Sequence, residues 1–326
     1  MKDSKIDSKP NRDKANTNQR LHARNKNNKP YDLKALTIAE PKLKEYLIKN
    51  KLGEDSVNFS SAKAVKLLNK ALLNHYYGIK FWDFPDDNLC PPVPGRADYI
   101  HHMADVLSEN NLGEVPTGNK ITCLDVGVGA NCIYPVIGVT EYQWQFYASD
   151  IHEKSISSAE HIINANPQLT DKVICRLQKN KSSIFKDIIE KSEKIDLVFC
   201  NPPFHTSAEA AMKEALRKEK NLTGKKVTSP NLNFSGISEE LIYEGGEYQF
   251  IHNMIQESKL FSKSCLWFST LVSKQTTLKP IYKWLKLVAP AEIKTIELTT
   301  GNKSSRIIAW SFLIPNHRDV WRKRRW

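Results

Sequence analysis

The feature that most constrains the fold is a regular alternation of strand-like and helix-like segments between Lys120 and residue 314. Short apolar runs typical of buried strands lie at 121–126, 143–150, 172–178, 194–200, 264–272, 291–300 and 306–314. Helix-like segments occur between them at 151–166, 182–190 and 247–261. Because strands that alternate with helices are joined by crossover connections, the pattern predicts an α/β fold with a doubly wound, mostly parallel sheet of seven strands and helices on both faces.

A mainly helical section, residues 31–115, is expected before the sheet. In Ser60–Tyr77 the apolar residues recur at helical spacing, and Ser60 or Ser61 can serve as the N-cap. The segment 82–95 contains four prolines and is not expected to be helical, whereas Ala97–Leu107 resumes a helical pattern.

Residues 206–243 interrupt the alternation with a long polar segment that begins with a predicted short helix at 208–220. The segment follows the fourth strand, and ligands bind at the carboxyl ends of the strands in such sheets. We therefore expect either a substrate-binding loop over the active site or a disordered insertion.

The positive charge of the chain is concentrated at its two ends. The net charge is +12; residues 1–30 carry nine Lys and Arg against three Asp, and residues 318–326 carry five against one. We expect 1–30 to be a disordered basic tail and 317–326 to be a basic C-terminal tail. Both tails either bind phosphate or simply keep the protein in solution, since basic tails are common.

The six cysteines are scattered, and no Cys/His cluster has metal-ligand spacing, so we predict a reducing compartment and no metal. The N-terminus has no apolar signal region, and no apolar run reaches the length of a membrane span. The expected location is the cytoplasm.

A glycine-rich turn is predicted directly after the first strand of the sheet, in the run LDVGVGAN that ends at Asn131. Gly127 and Gly129 allow the backbone to turn sharply and to approach a ligand closely. Asp125 precedes them, a spacing that suits the charged amino-acid end of S-adenosylmethionine better than a pyrophosphate. The second strand ends at Asp150, whose carboxylate can accept both hydroxyls of a ribose. The alternatives are a plain tight turn and, for Asp150, a helix N-cap.

The run Asn201-Pro202-Pro203-Phe204 follows the fourth strand and forms a rigid corner. Two prolines remove N–H donors and leave carbonyl oxygens free. The Asn201 side-chain oxygen and the Pro202 carbonyl can accept both hydrogens of a planar amino group and orient its lone pair for methyl transfer, while Phe204 stacks on an extruded base. The four residues do not distinguish an adenine amino group from a glutamine amide.

Longer segments resemble one family in particular. They are PPVPGRADYIHHMADVL, LDVGVGANCIYPVIG, NPPF, GGEYQFIHNMIQES and TTGNKSSRIIAWSF, together with the run at 267–274. The chain resembles the bacterial RlmF family, the 23S ribosomal RNA adenine-1618 N6-methyltransferases. It is also similar to a eukaryotic methyltransferase-like relative that modifies a small nuclear RNA. The resemblance covers residues from about 30 to about 315.

The resemblance implies a class I methyltransferase (Rossmann-like) domain at 116–316, with S-adenosylmethionine as the cofactor. It implies as partner 23S ribosomal RNA, free or in an assembling large ribosomal subunit. It assigns cofactor contacts to Arg96, Gly127, Asn131 and Asp150. Gln178, at the end of the third strand, is a further candidate for contact with the cofactor adenine. Asn131 stands where relatives often have Ser, so an amide contact would replace a hydroxyl contact.

Three other functions compete with this prediction. A DNA adenine methyltransferase usually needs an added recognition domain, for which the chain has no room. A protein glutamine methyltransferase has no need of polycationic ends and more often has Tyr in place of Phe204. A non-catalytic RNA-binding protein on the same fold would have lost residues such as Asp125 or Asn201, and both are present.

Overall fold

The computed structural model describes residues 21–213, 216, 241–300 and 303–326. The predicted disorder of residues 1–20 and most of the predicted substrate loop lie outside these residues. The first part of that loop, at 208–213, is helical as expected.

The section before the sheet is mainly helical. It contains α1 (Leu33–Ala39), a 3-10 turn (Pro41–Tyr46), a small hairpin of β1 (Leu47–Lys49) and β2 (Asp55–Val57), α2 (Ala62–Tyr77) and α3 (Val93–Glu109). The Ser61 side chain caps α2 by accepting the backbone N–H of Ala64. Helix α3 begins earlier than the prolines suggested, because Pro94 lies in its first turn, where a missing N–H costs nothing.

The rest of the chain builds the predicted sheet. Its elements in order are β3 (Thr122–Val126), α4 (Ile133–Tyr142), β4 (Gln145–Asp150), α5 (Glu153–Asn164), α6 (Pro167–Thr170), β5 (Val173–Leu177), β6 (Ile195–Cys200), α7 (Gly246–Ser258), a 3-10 turn (Lys259–Phe261), β7 (Cys265–Val272), α8 (Gln275–Val288), β8 (Glu292–Thr300), β9 (Lys303–Ser311) and α9 (Pro315–Arg325). The strand order is β5-β4-β3-β6-β7-β9-β8, with β9 antiparallel to both of its neighbours. The predicted seven-stranded, mostly parallel sheet is confirmed.

Two apolar layers cover the faces of the sheet. One contains residues of α2 to α5 and of α9, and the other contains residues of α7 and α8. None of the helices in the described part of the chain is long and apolar enough to cross a membrane.

The predicted helix at 182–190 is wrong; this stretch is a series of turns. Its backbone N–H groups at Ile184, Phe185 and Lys186 donate to the carboxylate of Glu257 on α7, at 2.7–2.9 Å. A distant carboxylate therefore satisfies donors that an isolated helix would have left to water.

The segment 21–30 is ordered, so the prediction of a disordered tail is wrong for these residues. Asn25 is 3% exposed and donates to Asp98 on α3 at 2.6 Å. Arg24 donates to Asp105 of the same helix and to Tyr142 of α4, and Lys26 pairs with Glu141. The basic residues of this segment are thus used largely to hold helices together.

The basic C-terminal tail is also a structural element. Residues 315–325 form α9, and Trp321 is 9% exposed. Trp321, Arg325 and Trp326 all donate to the carboxylate of Asp196, at the beginning of β6. Because parallel strands bind ligands at their carboxyl ends, α9 closes the edge of the sheet opposite to the predicted site.

Candidate active site

A cleft lies at the carboxyl ends of β3, β4, β5 and β6. It brings together eight of the residues that the sequence singled out: Arg96, Gly127, Gly129, Asn131, Asp150, Gln178, Asn201 and Pro203. Three other candidates do not line it. Asp125 and Pro202 are buried, and Phe204 is partly exposed beside it.

The glycine turn forms the floor of the cleft. Gly127 and Gly129 have φ angles of +73° and +62°, which residues with a Cβ seldom adopt. The N–H groups of Gly127 and Val128 donate to the Ser149 carbonyl, and the N–H of Gly129 donates to Asp150 Oδ2 at 3.0 Å. The turn after β3 is thereby fastened to the end of β4, so the glycines and the acid act as one unit.

Asp150 is 6% exposed, and its Oδ1 accepts the N–H of His152 at 2.9 Å. This bond resembles a helix cap, while Oδ2 fixes the glycine turn. A carboxylate at the end of the second parallel strand lies where an acid binds ribose hydroxyls in such folds.

Asp125 is the most unusual group in the site. It is 1% exposed, and within the described residues neither carboxylate oxygen has a hydrogen-bond partner. Burial raises the pKa of this carboxyl well above its usual range, and the nearby Asp150 raises it further, while Arg96 opposes the shift. A buried acid without a donor is costly, which points to a ligand that supplies one.

Arg96 lines the cleft near Asp125, and its positive charge favours the ionised form of that carboxyl. Its Nη1 donates to the Tyr134 hydroxyl at 2.9 Å, and its guanidinium lies over the Tyr134 ring, but it forms no ion pair with any described residue. A carboxyl group that lacks a hydrogen-bond donor and a guanidinium group without an ion pair match the ammonium and the carboxylate of an amino acid. With Asp150 at the ribose position, the cleft fits S-adenosylmethionine.

Asn201 lies where β6 ends and faces this cleft together with Pro203. None of the described residues hydrogen-bonds to its side chain, so both its amide oxygen and its amide nitrogen are available to a substrate. The Cys200 N–H before it is near the Tyr99 hydroxyl, at 3.4 Å, and that hydroxyl is held by Ser269 at 2.8 Å.

Comparison with known proteins agrees with this geometry. A family model described as RNA methyltransferase matches residues 15–314. Ribosomal RNA large subunit methyltransferase F of Cytophaga hutchinsonii is 49% identical over 95% of this chain and 96% of its own. The enzyme of the same name from Yersinia enterocolitica is 45% identical over 94% of this chain and 92% of its own. The chain belongs to the ribosomal RNA large subunit methyltransferase F family.

Solved structures show the same fold. The catalytic domain of human METTL16 in complex with the MAT2A 3'UTR hairpin 1 superposes with a TM-score of 0.75 and 27% identity, over 90% of this chain and 96% of that one. The N-terminal domain of human METTL16 in complex with SAH has a TM-score of 0.69 and 27% identity, over 90% and 99%. The chain is therefore a class I methyltransferase, and S-adenosylmethionine is its methyl donor.

Two of the predicted cofactor residues in this methyltransferase are already engaged in local structure. The Gln178 side chain donates to the Lys186 carbonyl at 2.8 Å and accepts the N–H of Asn180 at 2.9 Å. The Asn131 side chain accepts the N–H of Ile133 at 3.2 Å. Both residues line the cleft, but these bonds shape the loops around it, and their direct contact with the cofactor stays a prediction.

The run Glu244–Glu247 was not among the predicted site residues, but it lies against the loop after β6. The N–H of His205 donates to the Leu241 carbonyl and the N–H of Tyr243 donates to the His205 carbonyl, both at 3.0 Å. Gly246 has φ +62°, and a Cβ there would lie 3.4 Å from the Phe204 carbonyl oxygen. The residues just before α7 therefore pack against the end of the Asn-Pro-Pro-Phe loop and hold it in position. The two adjacent glycines, at a helix start in a chain with only 13 glycines, were the available signal.

Glu247 anchors this support to the sheet. It is 2% exposed, and its carboxylate accepts both the N–H and the hydroxyl of Ser273, just after β7, at 2.6–3.0 Å. The start of α7 is thus tied to the end of the neighbouring strand, and the catalytic corner lies between them.

One group outside the cleft has metal-ligand spacing: His22, His102 and Asp105, with ligand atoms within 4.8 Å of one another. His22 Nε2 lies 2.8 Å from Asp105, and His22 Nδ1 accepts the N–H of Arg24. Because neutral imidazole carries one proton, acceptance at Nδ1 leaves that proton on Nε2 and removes the lone pair that a metal would need. The cluster therefore fits a clamp on the N-terminal segment better than a metal site.

Proposed function

We propose that this methyltransferase modifies the N6 amino group of an adenine in 23S ribosomal RNA, at adenine 1618 as the family resemblance implies. The observation that carries the proposal is the Asn201 amide, which has no hydrogen-bond partner among the described residues and lines the cleft together with Arg96, close to the buried and unpartnered Asp125. A side chain available to the substrate thus lies in the same cleft as Arg96, a cation without an ion pair among the described residues, and near an acid that lacks a hydrogen-bond donor.

The residues of the chain account for the activation of the amino group. S-adenosylmethionine, when bound, supplies an electrophilic methyl group. The Asn201 Oδ1 and the Pro202 carbonyl accept the two hydrogens of the amino group, which turns its lone pair away from conjugation with the ring. Phe204, partly exposed beside the cleft, stacks on the extruded base.

The choice of RNA rather than DNA or protein rests on the relatives. The RNA methyltransferase model spans 15–314, and two curated relatives bear the name of a ribosomal RNA enzyme. The METTL16 catalytic domain is seen with an RNA hairpin. We infer that the substrate of this chain is 23S ribosomal RNA, free or within an assembling large subunit, in the cytoplasm.

One labelling experiment tests the function. The purified full chain is incubated with radiolabelled S-adenosylmethionine and, separately, with unmodified 23S ribosomal RNA, duplex DNA and a release-factor-like protein. We expect label only in the RNA, and nuclease digestion should recover it as N6-methyladenosine. Label in a protein glutamine or in DNA, with none in RNA, would contradict the proposal.

A further inference from the structure

A second groove opens beside the cofactor cleft. His152 and Tyr243 are among the residues that line both, so the two spaces are continuous at the carboxyl edge of the sheet. The groove has a volume of about 1010 Å³, at the upper end of the range for sites that hold a whole small ligand. A molecule with one part in the cleft can therefore extend into the groove.

Tyr243 stands at the junction with its ring fixed on two sides. Its hydroxyl accepts a hydrogen bond from Asn253 Nδ2 at 2.8 Å, and its ring packs edge-to-face on Phe250 with centroids 5.1 Å apart. The side chain is nevertheless partly exposed. A held, accessible aromatic ring is the usual surface on which an unpaired base stacks.

Two amides on α7 line the groove one helical turn apart. Gln249 Nε2 donates to Asn253 Oδ1 at 2.9 Å, which orients both side chains. In the part of the chain that the structure describes, nothing donates to Gln249 Oε1. An oriented amide with a free acceptor can pair with the edge of a base.

The charges of the groove favour a nucleoside over a run of phosphates. The lining of the groove contains one lysine, Lys181, and one carboxylate, Glu244. A groove that follows a phosphate chain would gather several cations. The mixture of one lysine, one glutamate, two amides and an aromatic ring suits the base and sugar of a single nucleotide, with Lys181 near one phosphate.

We propose that this groove binds a nucleoside next to the target adenosine in the RNA strand, by stacking on Tyr243 and by pairing with Gln249. The proposal rests on the proposed function, because it takes the target adenine to occupy the cleft. It adds a binding site that would select the sequence or the unpaired state of the RNA around the methylated base.

The test uses the full chain and a 23S ribosomal RNA fragment that contains adenine 1618. We expect Gln249→Ala to raise the KM for this RNA roughly 5- to 50-fold, as for the loss of a base contact, with kcat and the affinity for S-adenosylhomocysteine unchanged. Gln256→Ala is the matched control, because Gln256 is an exposed amide on the same helix outside the groove. It should leave the KM unaltered.

The second arm changes the RNA instead of the protein. Abasic substitution of each nucleotide within two positions of the target should raise the KM of the unaltered enzyme at one neighbouring position. At that position the further rise in KM should be smaller in Gln249→Ala than in the unaltered enzyme, because only the stacking on Tyr243 is left to lose. Normal KM values for Gln249→Ala and for every abasic RNA would overturn the proposal that the groove binds a nucleoside, and would leave the proposed function intact. Failure of the unaltered enzyme to methylate any RNA would overturn both.

Discussion

Two carboxylates on neighbouring strands are both almost fully buried, but one has several hydrogen-bond donors and the other has none among the described residues. Asp125 in β3 is 1% exposed and Asp196 in β6 is 0% exposed. Asp196 accepts hydrogen bonds from Trp321, Trp326, Arg325 and the N–H of Thr122. Asp125 has no partner among the described residues, and its pKa is raised.

The difference in hydrogen bonding corresponds to the position of each acid along its strand. Asp196 lies at the start of its strand, where α9 supplies donors from the end of the chain. Asp125 lies near the carboxyl end of its strand, where ligands bind. A buried acid saturated with protein donors contributes to stability, and one left without donors is available to a ligand. The comparison predicts which substitutions should unfold the protein and which should only inactivate it.

The largest effect is expected at Asp196. Asp196→Asn removes the counter-charge of the partly buried Arg325, and its amide nitrogen must face donors at either oxygen position, the two indoles or the Thr122 N–H with Arg325, so the free energy of unfolding should fall by about 3–5 kcal/mol. Denaturant unfolding would measure this, with Asp319→Asn as the control, because the partners of Asp319 lie at the surface of α9. The affinity for S-adenosylhomocysteine should persist in the fraction that stays folded. Unaltered stability would remove the distinction between the two acids.

Asn201→Ala tests the carboxyl edge. The side chain has no partner within the described residues, so the folded state should keep its stability and its cofactor affinity. Loss of one positioned polar group should lower kcat by about 10²–10³-fold. Calorimetry with S-adenosylhomocysteine and single-turnover methylation would separate the two properties. Near-normal turnover would show that the amide does not act on the amino group.

The strands of the sheet could be predicted because each is a short apolar run between polar boundaries. The glycine turn and the Asn201 corner could be predicted because their chemistry is local. Partners that meet only in the folded chain could not be predicted. The stretch predicted to be a helix at 182–190 is a series of turns, because Glu257 accepts the N–H groups of 184–186. The segment 21–30, which its composition predicted to be disordered, is held to α3 through a hydrogen bond from Asn25 to Asp98.

The same limit applies to charge. The basic residues at both ends suggested phosphate binding, but their pairing with acids was not visible in the sequence. In α9, Arg318 pairs with Glu292, Arg325 with Asp196, and both Arg322 and Lys323 with Asp319. Most of the positive charge of the C-terminal segment is therefore already compensated within the protein.

Asp125→Asn should affect ligand binding and stability in opposite directions. Because the folded-state pKa is above the unfolded value, this carboxyl opposes folding of the cofactor-free protein at pH values above its unfolded pKa, and asparagine, which has no charge, should raise the free energy of unfolding. The affinity for S-adenosylhomocysteine should fall roughly 10- to 100-fold with the loss of a charged acceptor for the ammonium group. Equal effects of Asp125→Asn and Asp196→Asn on stability would contradict the comparison.

The pH dependence of cofactor binding provides a further check on Asp125. Asp150 and Arg96 are the charged groups that face it. An ammonium ligand stabilises the carboxylate, so affinity should be greatest above the raised pKa and should decline as the pH falls through it. Calorimetry as a function of pH should show this decline in the unaltered protein and a weaker one in Asp125→Asn. Identical profiles would exclude titration of Asp125 in binding.

The smallest effect is expected from the exposed cations of α9. Lys323 and Arg324 lie on the helix that closes the edge opposite to the cleft, whereas Lys181 lies in the groove beside it. Each phosphate contact contributes about 0.7–0.9 to the slope of log affinity against log salt. Lys181→Ala should therefore reduce the slope for RNA binding by about 0.7–0.9, the contribution of one phosphate contact. The double variant Lys323→Ala with Arg324→Ala should have the same slope as the unaltered protein, within the error of measurement. Filter binding of the same 23S ribosomal RNA fragment between low and physiological salt would give both slopes. If the slope for the α9 variant fell by about one or more, the RNA would contact both edges of the sheet. The distinction between a ligand-binding edge and a structural edge would then be wrong.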